Sequence, residues 1–143
     1  VARAGTAYSA GTHGTIRARG SEPLPDRLRR MHDGVLALLR EHAPDAVSVE
    51  TPFVKISVRS ALVIGEARGV ILLAASEAGV PVAEYAPLEV KMAVVGSGAA
   101  SKEQVAFMVR RILRLDREPP ADAADALALA LCHLHRIPIG ATP

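Results

Sequence analysis

Apolar positions recur along this chain in two rhythms, and the change of rhythm divides it into elements. Leu24, Leu28, Met31, Val35 and Leu38 return at three- and four-residue steps, the stripe of an amphipathic helix that ends before Pro44. Ala46-Val47-Ser48-Val49 is a short apolar run of the buried-strand kind, and it finishes on an acidic residue, Glu50. A long helix is predicted over 57–78, with Ser57 as its N-cap and Gly79 as its stop. Residues 80–85 read as the next strand, and Pro87 opens a short helix running to Val95. Beyond the Gly96-Ser97-Gly98 break, Ser101 and Gln104 form a capping box, and Val105, Met108, Val109, Ile112 and Leu113 supply the buried stripe of the helix it starts. Pro119-Pro120 separates that helix from a last one beginning near Asp122, and 138–143 reads as a frayed tail.

The first twenty residues hold two strand-like stretches, 1–9 and 15–19, on either side of a Gly-rich break at 10–14, which predicts an antiparallel hairpin. Strands alternating with helices after a hairpin imply an α/β layer fold with mixed strand directions. Inside the long helix, Ala61, Gly65 and Gly69 stand four apart, a strip that lets another backbone approach closely. Each such glycine costs about 1 kcal/mol relative to alanine. Packing within the core is the expected compensation, and a subunit contact is the alternative.

Composition narrows the class without naming it. With 143 residues and 50% hydrophobic content, the chain fits one domain over 1–143 whose core needs no staples. Cys132 is the single cysteine and lies among apolar neighbours, so a buried thiol in a reducing, cytoplasmic setting is expected. Apolar runs such as 69–75 and 126–132 fall far short of the ~20 residues of a membrane span, and no signal-peptide pattern opens the chain. The net charge of +2 and pI near 9.0 hint at a polyanionic partner only weakly. Arg17, Arg19, Arg27, Arg29 and Arg30 crowd the first thirty residues, where a solvated helix face is the ordinary explanation.

Candidate chemistry concentrates in acidic residues. Asp122 and Asp125 lie three apart at the start of the last helix and share a face, while Glu50 stands at a strand's carboxyl end. Acidic residues also favour helix N-termini for the dipole, and Asp122 could serve as no more than a cap. Carboxylates gathered in one cleft repel by up to about 4 kcal/mol per close pair unless a cation sits between them. Oxygen-only acidic clusters suit magnesium or manganese, and two such ions about 4 Å apart serve phosphodiester hydrolysis. Spacing alone does not bring Glu50 to the two aspartates.

Five ordered stretches carry a family resemblance: VSVETPF at 47–53, SALVIGEARGVILLAA at 60–75, VPVAEYAPLEVKMAVVGSG at 80–98, SKEQVAFMVRRIL at 101–113 and DAADALALALCHLH at 122–135. Together they resemble the RuvC family, over essentially the whole chain from Leu24 onward. The resemblance implies a ribonuclease-H-like fold, with a mixed central sheet flanked by helices. It further implies a homodimeric endonuclease that nicks four-way DNA junctions symmetrically, with two magnesium ions, or manganese, per site. Glu50, Asp122 and Asp125 match the family's catalytic and metal-binding acidic positions, the Asp122 position being histidine in some relatives.

Family members open with a strand ending in G-I-D-P-G, whose aspartate completes the metal site, and that motif is not among these residues. Our expectation is a piece ahead of Val1 that carries this strand, because its loss would expose neighbouring strand edges. A truncated form that binds metal poorly is the alternative. For DNA contact, Phe53 matches a residue that stacks on an unpaired base, a role worth roughly 1 to 3 kcal/mol, although a core aromatic is its ordinary reading. Lys91 and Lys102 match basic positions near the scissile phosphate, and Lys55 and Arg59 are weaker candidates. The family's partners, the branch-migration helicase proteins RuvA and RuvB, leave no trace in the residues. A non-catalytic junction-binding protein and a related nuclease acting on RNA stand as competing functions.

Overall fold

The structure, a computed structural model, describes residues 1–17, 20–51 and 57–138. They form a hairpin of β1 (Ala2–Ala4) and β2 (Ala7–Ser9), then α1 (Leu24–His42), β3 (Val47–Glu50), α2 (Val58–Glu77), β4 (Val82–Tyr85), α3 (Pro87–Val95), α4 (Lys102–Leu113) and α5 (Ala121–Arg136). The chain gathers into two compact units: Val1–Thr15 with Ser48–Thr51 and Glu84–Pro143, and Ile16–Val47 with Pro52–Ala83.

The hairpin is tighter than the sequence pattern suggests. Its strands pair antiparallel with Ala2 opposite Ser9 and Ala4 opposite Ala7, so both lie within the first nine residues. The turn is the pair Gly5-Thr6, with Gly5 at φ 59°, the left-handed conformation glycine adopts at no steric cost in a two-residue hairpin loop. This local turn wins over the Gly-rich break at 10–14, and residues 15–17 are not a strand. Ala18 and Arg19 lie outside the described residues. Arg3 ties the hairpin to the chain's other end by donating to the carbonyls of Leu134, Ile137 and Pro138 at 2.6, 2.7 and 3.0 Å. Pro138, expected to fray, is thus anchored, and 139–143 lie outside the described residues.

The second ladder joins β3 and β4. Val47 N donates to Pro81 O and Thr51 N to Tyr85 O, both at 2.9 Å. Both partners advance by four residues, so the strands run parallel, as a connection through a helix requires. The expected single mixed sheet is therefore two two-stranded ladders of opposite kind among the described residues. The hairpin pairs through its short turn and the parallel pair through its crossover.

Within the first unit, α3, α4 and α5 pack on one another. On α5, Ala123, Ala124, Leu127, Ala128, Leu131 and Cys132 are buried along one face. On α4 the buried residues are Val105, Val109 and Leu113, all from the predicted stripe. Ser101 Oγ accepts from Gln104 N at 3.3 Å while the Gln104 side-chain Oε1 accepts from Ser101 N at 2.8 Å, closing the capping box.

Within the second unit, α1 packs on α2. Leu36 and Leu39 are its buried residues, whereas Leu24 and Leu38, at the ends of the predicted stripe, are exposed. Ser57 caps α2 by accepting from Ser60 N at 3.2 Å, and Gly79 at φ 69° ends it. The small-residue strip on this helix is not core: among the described residues, a Cβ at Gly65 or Gly69 would meet nothing within 4 Å. The core expectation fails there because the buried residues of α2 are Ala74 and Ala75, at its C-terminal end. Among the described residues, no helix is long and apolar enough to cross a membrane.

Candidate functional site

All the geometry that bears on the acidic residues belongs to the first unit. Glu50 is the last residue of β3, and the hydrogen bond from Thr51 N to Tyr85 O extends the ladder one residue past it. Its side chain retains solvent access, yet its pKa is raised above the ordinary carboxylate value. Burial is the main cause, the like charge of Asp125 adds to it, and the Lys102 ammonium opposes both. Glu50 and Asp125 thus share one field although 75 positions separate them.

Asp125 projects from the second turn of α5, and Lys102 from the first position of α4. Lys102 Nζ lies 3.8 Å from Asp125 Oδ2, and both side chains are mostly in solvent. The site is therefore an open, charged surface, with one ammonium beside two coupled carboxylates.

Asp122 is not among the charges that move the Glu50 pKa. No set of three His, Cys, Asp or Glu side chains that could hold a metal ion occurs among the described residues. At 3.6 residues per turn, Asp122 sits about 60° further round α5 than Asp125, away from the buried arc whose edge Asp125 borders. Nor is Asp122 the cap: Pro120 holds that position without a side-chain hydrogen bond, which leaves Asp122 in the first turn.

Lys91 is half-buried in the middle of α3 and is not among the charges that move the Glu50 pKa. Arg59 is exposed in the first turn of α2, in the second unit. Phe53 and Lys55 lie outside the described residues.

A polar network behind the site escaped sequence reasoning. Tyr85, at the end of β4, shares a 2.7 Å hydrogen bond between its hydroxyl and His133 Nδ1. Burial raises the Tyr85 pKa and lowers that of His133, so both stay neutral together. Arg136 lies over the Tyr85 ring, 5.4 Å from its centroid, and pairs with Glu89, whose other oxygen accepts from Ala86 N at 2.8 Å. His135 Nδ1 meets the Ala93 carbonyl at 2.9 Å and its ring stands edge-on to Tyr8. These contacts set α5 against β4 and α3, and with α5 the position of Asp125. No local spacing announces them, since Tyr85 and His133 are 48 residues apart.

The α/β scaffold is that of the ribonuclease-H-like RuvC structures it superposes on. A family model described as "Crossover junction endodeoxyribonuclease RuvC" matches residues 1–133. The chain is 51% identical over 124 residues to the crossover junction endodeoxyribonuclease RuvC of Halorhodospira halophila, covering 87% of this chain and 74% of that protein. It is also 51% identical over 125 residues to the protein of that name from Syntrophomonas wolfei, with 87% and 73% covered. Among solved structures, Thermus thermophilus RuvC in complex with Holliday junction substrate superposes with a TM-score of 0.89 at 40% identity, covering 94% of this chain and 82% of that one. A second T. thermophilus RuvC structure gives 0.78 at 45% identity, covering 84% and 73%. The chain belongs to the RuvC family of crossover junction endodeoxyribonucleases.

Proposed function

We propose that this chain is a structure-selective DNA endonuclease that resolves Holliday junctions by paired phosphodiester hydrolysis. The observation that carries the reading is the coupling of Glu50 to Asp125 with Lys102 beside them, at the acidic positions the family resemblance singled out. The likeness to a relative solved on a Holliday junction supports the choice of substrate.

Nucleases of this family depend on a divalent metal. The residues present fit such an ion in chemistry, since Glu50 and Asp125 are hard oxygen donors whose mutual repulsion a cation would relieve. Glu50 and Asp125 would hold it, with Asp122 one turn earlier on α5 as a further carboxylate; magnesium, with manganese as the alternative, and two ions per site are our assignment. When bound, it supplies a nucleophilic water at neutral pH and stabilises charge on the leaving oxygen. Glu50 has to be ionised to act there, and Lys102 favours that ionisation. The Lys102 ammonium has three donors, so one can face Asp125 while others meet a phosphate oxygen. We assign Lys91 to the scissile phosphate, Phe53 to stacking on an unpaired base, and Lys55 and Arg59 to the DNA backbone, all on the resemblance.

Symmetric cutting calls for two sites, and a homodimer provides them. The solvent-facing Val58, Leu62, Val63, Ile64 and Leu73 of α2, with open space over Gly65 and Gly69, support a second copy as the partner of that helix. The branch-migration proteins RuvA and RuvB are the partners we assign on the resemblance, and the cytoplasm is the setting.

The test is incubation of the chain with a labelled four-way DNA junction, in magnesium or in EDTA, reading binding and nicking together. Paired nicks in magnesium alone are expected. No junction binding would overturn the DNA reading, binding without nicks under either condition would point to a metal site without its first-strand aspartate, and preference for a matched RNA junction would overturn the substrate.

A further inference from the structure

The C-terminal half of α4 carries a surface that the acidic site does not use. Phe107, Arg110 and Arg111 are spaced i, i+3 and i+4, which at 3.6 residues per turn places them within a wedge of about 100°, and Arg114 is the left-handed residue, φ 53°, that caps the helix just beyond them. With Leu115 they line a shallow pocket of about 450 Å³. Phe107 is 56% exposed, although the chain has only two phenylalanines and a core in which it could be buried. The face turns away from the buried stripe of Val105, Val109 and Leu113.

Its charge is available. Arg29 and Arg30 are paired with Asp26 and Glu22, and Arg136 with Glu89. Arg111 and Arg114, by contrast, have no acidic partner among the described residues. Arg110 donates to the carbonyls of Leu115 and Asp116 at 3.3 and 3.2 Å, which fixes its guanidinium at the pocket wall with further N–H groups unspent. Basic residues do favour a helix C-terminus for the dipole, but that effect calls for no aromatic in their midst. An exposed aromatic ring within an arginine rim is the pairing that binds single-stranded nucleic acid, the ring taking a base and the cations its backbone.

We propose that this face of α4 is a second DNA contact, in which Phe107 stacks on an unpaired base and Arg111 and Arg114 hold the flanking phosphates. The proposal rests on the reading of the chain as a DNA-handling enzyme and adds a contact for single-stranded DNA apart from Glu50 and Asp125. The probe is a fluorescent oligothymidylate, with a duplex of equal length as comparison, titrated against the full chain and three variants: Phe107→Ala, Arg111→Gln and Arg114→Gln. Phe107→Ala should weaken oligothymidylate binding about tenfold, within the usual range for losing one stacked base, and change duplex binding much less. Each arginine variant should lower the slope of log affinity against log salt by about 0.7, the single-strand increment per phosphate contact. Circular dichroism checks that the variants remain folded, as these exposed positions predict. Unchanged oligothymidylate affinity and salt slope in the folded variants, or no binding by the unaltered chain, would overturn the proposal. The junction assay separates the two readings: metal-dependent nicking with silent α4 variants sinks this surface alone, whereas an α4 effect without nicking upholds this surface and bears only on the completeness of the metal site.

Discussion

Lys102 Nζ and Asp125 Oδ2, 3.8 Å apart, join the first position of α4 to the second turn of α5. The pair is largely exposed, and ion pairs of that kind contribute about 0 to 1 kcal/mol, so its importance is electrostatic rather than structural. Lys102 also lowers the pKa of Glu50 against the combined effect of burial and Asp125. The ammonium thus opposes the rise in the Glu50 pKa from its place beside Asp125.

Asp125→Asn is expected to abolish nicking of a four-way junction while leaving junction binding intact. The side chain is exposed, so the substitution should move the unfolding midpoint little. Gel-shift and cleavage assays on the same preparation decide it, and wild-type cleavage by this variant would remove Asp125 from the site.

Lys102→Met should shift the acid limb of the pH–rate profile. The folded pKa of Glu50 is already raised, so nicking should fall at a higher pH than an ordinary carboxylate would dictate. Removing the ammonium takes away the one influence that lowers it, and the limb should move further up. Activity profiles of both proteins between pH 4.5 and 8, roughly the range in which raised carboxylates titrate, measure the shift. A limb that stays put would mean Glu50 does not govern it.

His32 should make stability depend on pH. Its Nδ1 is 3.0 Å from Asp33 Oδ1 and its Nε2 3.3 Å from Glu77 Oε2. The hydrogen bond to Asp33 is the main cause that holds its pKa above the ordinary 6.5, against some desolvation and with help from Glu77. A folded pKa above the unfolded one means the stabilisation is fully present below 6.5 and is lost as the pH rises through the folded value. Thermal midpoints on either side of that window should differ more for the native chain than for His32→Gln. Equal differences would show that another group titrates.

Tyr85→Phe removes only the hydroxyl that meets His133 Nδ1. A stability loss of about 1 kcal/mol is expected, since the half-buried imidazole loses its partner. Urea unfolding measures it. Nicking at saturating junction should persist, because Tyr85 positions α5 and is not itself among the coupled carboxylates.

The local elements were legible because their signals are local. Ser57, the Ser101–Gln104 box, Pro87 and Gly79 stand where the structure uses them, each acting on backbone groups within a turn or so. The hairpin was overextended for a related reason. Gly5-Thr6 already suffices to turn the chain, so the more conspicuous glycines at 11 and 14 have no turn to make.

Residue types and spacing alone marked Glu50, Asp122 and Asp125 as candidates, and the family resemblance joined them into a proposed site. Sequence could not rank them, because whether two carboxylates feel each other depends on distances set by how α5 packs against its neighbours. Only the tertiary structure couples Glu50 to Asp125 rather than to Asp122, and only it leaves the glycine strip of α2 open. The chain's own pattern determined where helices and strands begin and end, since caps, turns and periodicity act over a few residues. Packing decided which of their side chains meet, because contacts such as Tyr85 with His133 and Arg3 with Leu134 join residues 48 and 131 positions apart.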